Sequence, residues 1–427
     1  MLGSNCLQEF VAMNCQEANA NFPPVYDTYL ESSPIVWILG NQYNSLEDEA
    51  LEDIKSRIWI SYRKGFPRIG GSGPTSDYGW GCMLRCGQMV VAQAFINKHF
   101  GREWRWRSKK EMIKRNEYRT YLKILSLFLD QKGAPYSIHQ IAQMGASEGK
   151  PVGNWFGPNT VAQTLKKLAE YDNWNHLAIH VALDNLVIID DIEACKFSHP
   201  KKNISDLSHT DTENSGSSST EKKWTDLLLF IPLRLGLSEL NLLYHEPLKK
   251  TFHIKQSLGI IGGRPNHALY FVGYVGEELI YLDPHTTQPT IDLDLESLLK
   301  NPQVNLADID FDDSSYHVEN AQRMPFNQLD PSIALCFHFP TEKDFDSWCS
   351  EARDLLINDG QPLFELFKER PFHMKPISIA VDSRQAPAEY DIGNCTPEHL
   401  IPNFCEVEKS VLSTSSDDEF EILTTDC

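Results

Sequence analysis

The sequence predicts an α+β protein. Three stretches carry that expectation. An apolar run, "LLLFIPLRLGL" (Leu227 to Leu237), reads as a buried strand, and "HALYFVGYVGEELIYLDPH" (His267 to His285) reads as two strands joined through Gly276-Glu277. The third, Cys82 to Phe100, has the pattern of a helix. Helices and strands follow one another without the alternation that builds a parallel, doubly wound sheet.

Taken in chain order, residues 1–32 are polar, acidic and interrupted by proline, which marks them as an N-terminal tail. Hydrophobic patterning begins at "SPIVWILGNQYN" (Ser33 to Asn44), and the folded domain is expected over 33–380. "SRIWISYRKGF" (Ser56 to Phe66) looks strand-like and buried. From Cys82, the apolar Leu84, Val91, Ala94 and Phe95 recur at helical spacing, and Lys98, His99 and Gly101 supply a basic last turn and a stop. The stretch His199 to Trp224 is rich in Ser, Thr, Asn and charge. It buries too little apolar surface to offset its ordering entropy, so a disordered loop is expected over 199–224. Lys343 to Leu356 reads as a helix, with a shorter one near Phe364, and 381–427 reads as a C-terminal tail. A chain of 427 residues admits two or three domains at roughly 150 residues each.

Composition narrows the function. A formal net charge of −20 argues against binding to a phosphate backbone, whose affinity comes from lysines and arginines, and suits a basic protein partner. "EWRWRSKKEMIKRNEYR" (Glu103 to Arg119) is the one stretch that interleaves tryptophan with basic residues; its bland explanation is the solvated face of a helix. No Lys or Arg precedes Lys55, so the start lacks the marks of a secretory or transit signal. No apolar run reaches the ~18–20 residues of a membrane span. A cytoplasmic protein is expected. The ten cysteines include no C-x-x-C pair and no zinc-like spacing, so no metal and no cofactor are expected, and a buried or idle thiol is the default for each cysteine.

Cys82 departs from that default. It follows Gly-Trp-Gly at the start of a helix, where unpaired backbone N–H groups and the helix dipole favour thiolate, and its own N–H is a natural oxyanion donor. A thiol nucleophile needs a base. Asp283 and His285, two apart at the end of a strand, would share a face, the carboxylate orienting the imidazole; alternatively, Asp-Pro-His is only a turn. His267, at the head of the preceding strand, is a rival base that would use Asp283 from across the hairpin, and spacing alone does not separate the two.

"TSDYGWGCMLRCGQM", "GNWFGPNT" (Gly153 to Thr160), "GIIGGRPNHALYFVGY" and "EELIYLDPHTTQP" together resemble the autophagin family, most closely its A-type vertebrate member, over about residues 35–345. Those enzymes are cysteine proteases that process ubiquitin-like autophagy modifiers of the GABARAP and light-chain-3 type. The resemblance implies a papain-like fold with a smaller accessory subdomain, placed loosely at 104–190. It also implies a triad of Cys82, Asp283 and His285, with His267 left as a strand residue beside the site. By motif, Tyr62 matches a tyrosine that assists the oxyanion hole. Trp155 and the loop Gly262 to Asn266, centred on Pro265, match groups that cover the active site until substrate lifts them. The implied reaction is hydrolysis after a glycine that alone passes between Trp155 and Pro265, and release of the same modifiers from phosphatidylethanolamine. Membrane access would come through the lipid conjugate, with no nucleic acid involved.

Two further features stand out. Phe420 and Leu423 sit behind acidic residues in "SSDDEFEILTTDC" and resemble a docking motif for the same modifiers. Cys86 lies one helical turn after Cys82; if exposed and of low pKa, it is a redox-switch candidate.

Overall fold

The computed structural model describes residues 35–195 and 224–371. The expected tails, 1–32 and 381–427, and nearly all of the expected loop 199–224 lie outside them. The strands are β1 (Val36–Ile38), β2 (Asn41–Tyr43), β3 (Arg63–Lys64), β4 (Ala178–Val181), β5 (Leu186–Ile188), β6 (Leu227–Arg234), β7 (Ser257–Arg264), β8 (His267–Val275), β9 (Glu278–Leu282), β10 (Gln288–Pro289), β11 (Gln322–Pro325), β12 (Ser332–Phe339) and β13 (Glu365–Phe367). One sheet runs β11-β9-β8-β7-β12-β6-β4, with β1 joined to β8 and β2. Its ladders are antiparallel except for β4 beside β6. The expected α+β class and the His267 hairpin are both present.

Side-chain alternation along these strands sends apolar groups to both faces, which is why their sequences read as continuous apolar runs. Leu228, Phe230, Tyr270, Val272, Ala334 and Cys336 join the core that contains the helix Cys82–Phe100. Leu229, Ile231, Leu269, Phe271, Leu335 and Phe337 point the other way, into a core with Phe345 and Trp348 of the helix Glu342–Ala352. Sheet and flanking helices thus make a three-layer arrangement.

The helix Cys82–Phe100 is buried without interruption from Cys82 to Ile96. A one-sided apolar stripe would suit a surface helix, but this one has the sheet on one side and the helices Tyr118–Ser126, Ile138–Met144 and Pro158–Ala169 on others. Those three helices fall in the stretch 104–190. Their buried side chains share one core with the central helix. Truncating Phe95, fully buried there, would cost about 3–5 kcal/mol.

Several expectations need correction. The short helix expected near Phe364 is instead β13, paired in parallel with β5 (Glu365 opposite Leu186, Phe367 opposite Ile188). Tertiary context overrides local preference here: Phe364 is buried, stacking on Trp348 at 6.0 Å, and β5 offers an open edge. Only Arg63–Lys64 of Ser56 to Phe66 forms a regular strand, although the whole stretch from Ser56 to Arg63 is largely buried. Trp224, the last residue of the expected loop, is anchored: its Nε1 donates to the Phe339 carbonyl at 3.0 Å. Part of the basic stretch is used internally. Arg105 pairs with buried Asp53, Arg119 donates to the Leu299 carbonyl and Lys109 donates to the Ile309 carbonyl, while Lys110, Lys114 and Arg115 form the expected solvated face. The helices there begin only at Lys109, after a non-helical "EWRWR". Among the described residues, no helix is long and apolar enough to cross a membrane.

Candidate active site

Cys82 is the first residue of the central helix, and Gly81 is the N-cap. The chain must turn sharply to reach it. Gly79 takes φ +82°, a left-handed value that side chains disfavour, and a Cβ on Gly81 would lie 2.4 Å from an Asp77 carboxylate oxygen. Asp77 anchors the approach: its carbonyl accepts from the Trp80 and Gly81 N–H groups, and its Oδ1 accepts from the Arg63 N–H at 2.7 Å. Arg85, fully buried one turn into the helix, donates from Nε and Nη2 to Asp77 (2.8 and 3.0 Å) and from Nη1 to Asp130 (2.8 Å). Such a bidentate pair is geometrically demanding and fixes loop and helix together. Sequence reasoning missed this support, and the only signal for it was an arginine inside an otherwise apolar helix.

β9 ends at Leu282, so Asp283 and His285 lie beyond the strand. They still come side by side, by a different means from strand alternation. Asp283 Oδ1 accepts from the His285 backbone N–H at 2.9 Å and meets His285 Nδ1 at 2.5 Å. The Asx-Pro turn and the carboxylate–imidazole pair are therefore one structure. The turn is tied down from Ser56 to Phe66: Trp59 Nε1 donates to the Asp283 carbonyl at 2.6 Å, and the Tyr62 N–H donates to the Pro284 carbonyl at 2.7 Å.

His285 Nε2 is buried with no oxygen or nitrogen partner among the described residues; the group it meets is the Cys82 thiol. Tyr62, also buried, brings its hydroxyl to the same sulfur and sets its ring edge-on to His285 at 5.3 Å. His267 is the rival base, and it turns to Asp283 and His285 instead of the thiol. Its ring lies flat on His285, centroids 3.4 Å apart and planes 9° apart, with Nε2 3.8 Å from Asp283 Oδ2. That separation is longer than an ordinary hydrogen bond, yet the contact still helps to draw Asp283 downward.

The protonation states follow from these contacts. Burial acts to raise the Cys82 thiol, but the bond with His285, the charge of His285, the Ala268 backbone and Tyr62 outweigh it and bring the thiol below its ordinary value. Burial would lower His285; Asp283 and Cys82 outweigh it and lift the imidazole from 6.5 to about 9. Burial acts upward on Asp283 as well, and its contacts with His267 and His285 carry it well below the usual carboxylate range. Burial, helped by the charge of His285, holds His267 below its ordinary value. Both shifts run toward a thiolate beside an imidazolium, the pairing that arms a cysteine nucleophile.

The remaining expected residues are more dispersed. Trp155 is 42% exposed, and Pro265 is exposed in the two-residue turn Pro265-Asn266 between β7 and β8. Gly262 and Gly263, expected in a movable loop, are instead ladder-paired with Leu269 and Ala268, which leaves only the turn unpaired. Cys86 is fully buried, and burial pushes its thiol well up, so the exposure and low pKa a redox switch requires are both missing. Phe420 and Leu423 lie outside the described residues. Donor atoms of His267, Asp283 and His285 fall within 4.8 Å of one another, as metal ligands would. The 2.5 Å contact between Asp283 and His285 is a direct hydrogen bond, well short of the roughly 3.4 Å that two ligands of a tetrahedral ion at about 2.0–2.2 Å keep between them. His245, Glu246 and Glu277 form a second such group, but Lys249 Nζ already lies 2.8 and 2.6 Å from the two carboxylates.

The assembled site, Cys82 at a helix N-terminus, an imidazole held by a carboxylate and a hydroxyl at the sulfur, suits covalent acyl transfer. Comparison with known proteins agrees. Residues 47–351 match the family described as the peptidase C54 catalytic domain. The chain is similar to cysteine protease ATG4B of Gallus gallus, 43% identical over 93% of this chain and 96% of the relative. It is 45% identical to cysteine protease ATG4B of Xenopus laevis over 92% of this chain and 94% of the relative. Cysteine protease ATG4A of Mus musculus is 42% identical over 94% of this chain and 96% of the relative.

Proposed function

This chain belongs to the peptidase C54 (autophagin) family of cysteine peptidases, with their papain-like fold, and on that premise we propose that it processes ubiquitin-like autophagy modifiers of the GABARAP and light-chain-3 type. It cleaves their C-terminal extension to expose a glycine, and it releases the same modifiers from phosphatidylethanolamine. The observation that carries this reading is the meeting of the buried Cys82 thiol with His285 and, behind it, Asp283.

In the first half-reaction the Cys82 thiolate attacks the carbonyl carbon of the glycine. The oxyanion takes hydrogen bonds from the Cys82 backbone N–H and the Tyr62 hydroxyl, and the His285 imidazolium gives its proton to the departing amine. That amine belongs to a peptide in processing and to the lipid headgroup in delipidation; the bond broken is an amide in both. His285, now neutral, takes a proton from water, which attacks the thioester and frees the glycine carboxylate. Exposed Trp155 and the Pro265-Asn266 turn act as the gate, passing a residue without a side chain. Phe420 and Leu423 dock the modifier and raise its effective concentration at the site. The enzyme works in the cytoplasm and reaches membranes through its conjugated substrate.

The test is a gel assay with a GABARAP-type precursor and with the lipidated form on vesicles. Wild type should cleave both, and Cys82→Ser, His285→Ala and Asp283→Ala should not. Binding without cleavage by wild type would replace this reading with that of a scaffold.

A further inference from the structure

His285 sits in a turn, and the ladder of β9 does not hold it. Its ring is bonded at Nδ1 to Asp283 and meets Cys82 at its other end, and neither in-plane contact holds the ring on its face. We propose that His267 is the positioning residue that does so, by stacking flat on the imidazole of His285 and fixing its plane toward Cys82. The proposal rests on the triad reading above and extends it to a fourth side chain.

Three observations support it. The rings overlap at 3.4 Å and 9°, closer and more nearly parallel than the edge-on approach of Tyr62 at 5.3 Å and 84°, so His285 is held on its face by one neighbour and bounded by the edge contact of the other. The brace itself is rigid: His267 is paired with Arg264, and Ala268 with Gly263, at the start of β8. Ala268 also touches the Cys82 sulfur through its backbone, so brace and nucleophile are referenced to the same strand. The charged or titratable groups that act on His267 are Asp283, His285 and Arg264. Its Nε2 lies 3.8 Å from Asp283 Oδ2, so His267 also bears on the carboxylate that orients His285, and the stack is what it alone adds to the imidazole.

The experiment uses the full chain and two readouts: precursor cleavage, resolved into kcat and KM, and the pH profile of Cys82 alkylation by iodoacetamide, followed on the Cys82 peptide by mass spectrometry. His267→Ala should lower kcat by about tenfold with KM unchanged, and move the alkylation midpoint to higher pH. His267→Phe, which keeps a flat ring, should restore both, whereas His267→Asn, which keeps a polar group without a ring, should not. Wild-type kcat and midpoint in His267→Ala would overturn the proposal, as would rescue by Asn but not by Phe. His285→Ala in parallel separates the two layers of argument. If it is inactive while His267→Ala is normal, only the brace is wrong; if it is active while His267→Ala is dead, the triad assignment fails with it.

Discussion

Replacing Asp283 with Asn removes the charge that sets the whole site while keeping the side chain's size. In the native site His285 rises from 6.5 to about 9, which corresponds to roughly 3 kcal/mol in favour of the imidazolium. At pH 7.5 a group of pKa about 9 is charged in about 97% of molecules. Without the carboxylate, burial is opposed only by Cys82, and His285 returns toward 6.5, where about 10% of molecules would be charged. The sign is that of a base whose raised pKa is lost: activity that holds in wild type up to pH about 9 should decline in Asp283→Asn from pH about 6.5 upward. The thiolate–imidazolium pair should be about tenfold scarcer at pH 7.5. The assay is the rate of Cys82 alkylation between pH 5 and 10, alongside kcat/KM for a modifier precursor. An Asp283→Asn enzyme that alkylates at the wild-type rate at pH 7.5, with its basic limb still near 9, would refute the electrostatic account of this site.

Arg85→Met strands Asp77 and Asp130 as buried carboxylates with no cation between them and should cost about 3–5 kcal/mol, seen as a drop in Tm of roughly 6–10 °C. Gly81→Ala places a methyl carbon 2.4 Å from Asp77 and should slow Cys82 alkylation by about tenfold through displacement of the helix N-terminus. Cys86→Ser should leave peroxide sensitivity unchanged, with oxidation mapping to Cys82 in both proteins, since the Cys86 thiol is buried and held protonated.

Local signals named the parts of this site that obey local rules. The nucleophile's helix began where Gly-Trp-Gly met an apolar pattern, and the hairpin read directly from its two runs and Gly276-Glu277. What local pattern did not supply was geometry set by distant chain. Periodicity left His267 and His285 as equals because both lie near Asp283; the structure separates them by what each ring faces, Cys82 for one and the other imidazole for its rival. Asp283 and His285 were expected side by side through strand alternation, yet the strand stops short and an Asx-Pro turn does the work. The Arg85–Asp77–Asp130 cluster joins residues up to 53 apart in sequence, one in a helix and two in loops, and no pattern of apolar residues encodes such a contact. Phe364 failed for a related reason: its neighbours form a strand because β5 has an edge to offer, which is a property of the fold and not of that segment.

The hairpin also limits how the proposed gate opens. The ladder of β7 and β8 runs to Arg264 opposite His267, immediately beside the turn Pro265-Asn266, where Asn266 holds φ +61°. A swing large enough to include Arg264 would break that pair and drag His267 off the face of His285. A gate that opened so far would loosen the base as it admitted the substrate. Opening is therefore confined to the turn itself and to the exposed ring of Trp155. Hydrogen exchange on Cys82→Ser bound to an uncleaved precursor tests this directly. The Asp330 amide, which donates to the Gly263 carbonyl at 2.7 Å, should stay as protected as in the free enzyme, with changes limited to Asn266 and the Trp155 segment. Faster exchange at Asp330 on binding would show the strand end at Gly263 itself giving way. The brace would then have to act only after the gate had closed again.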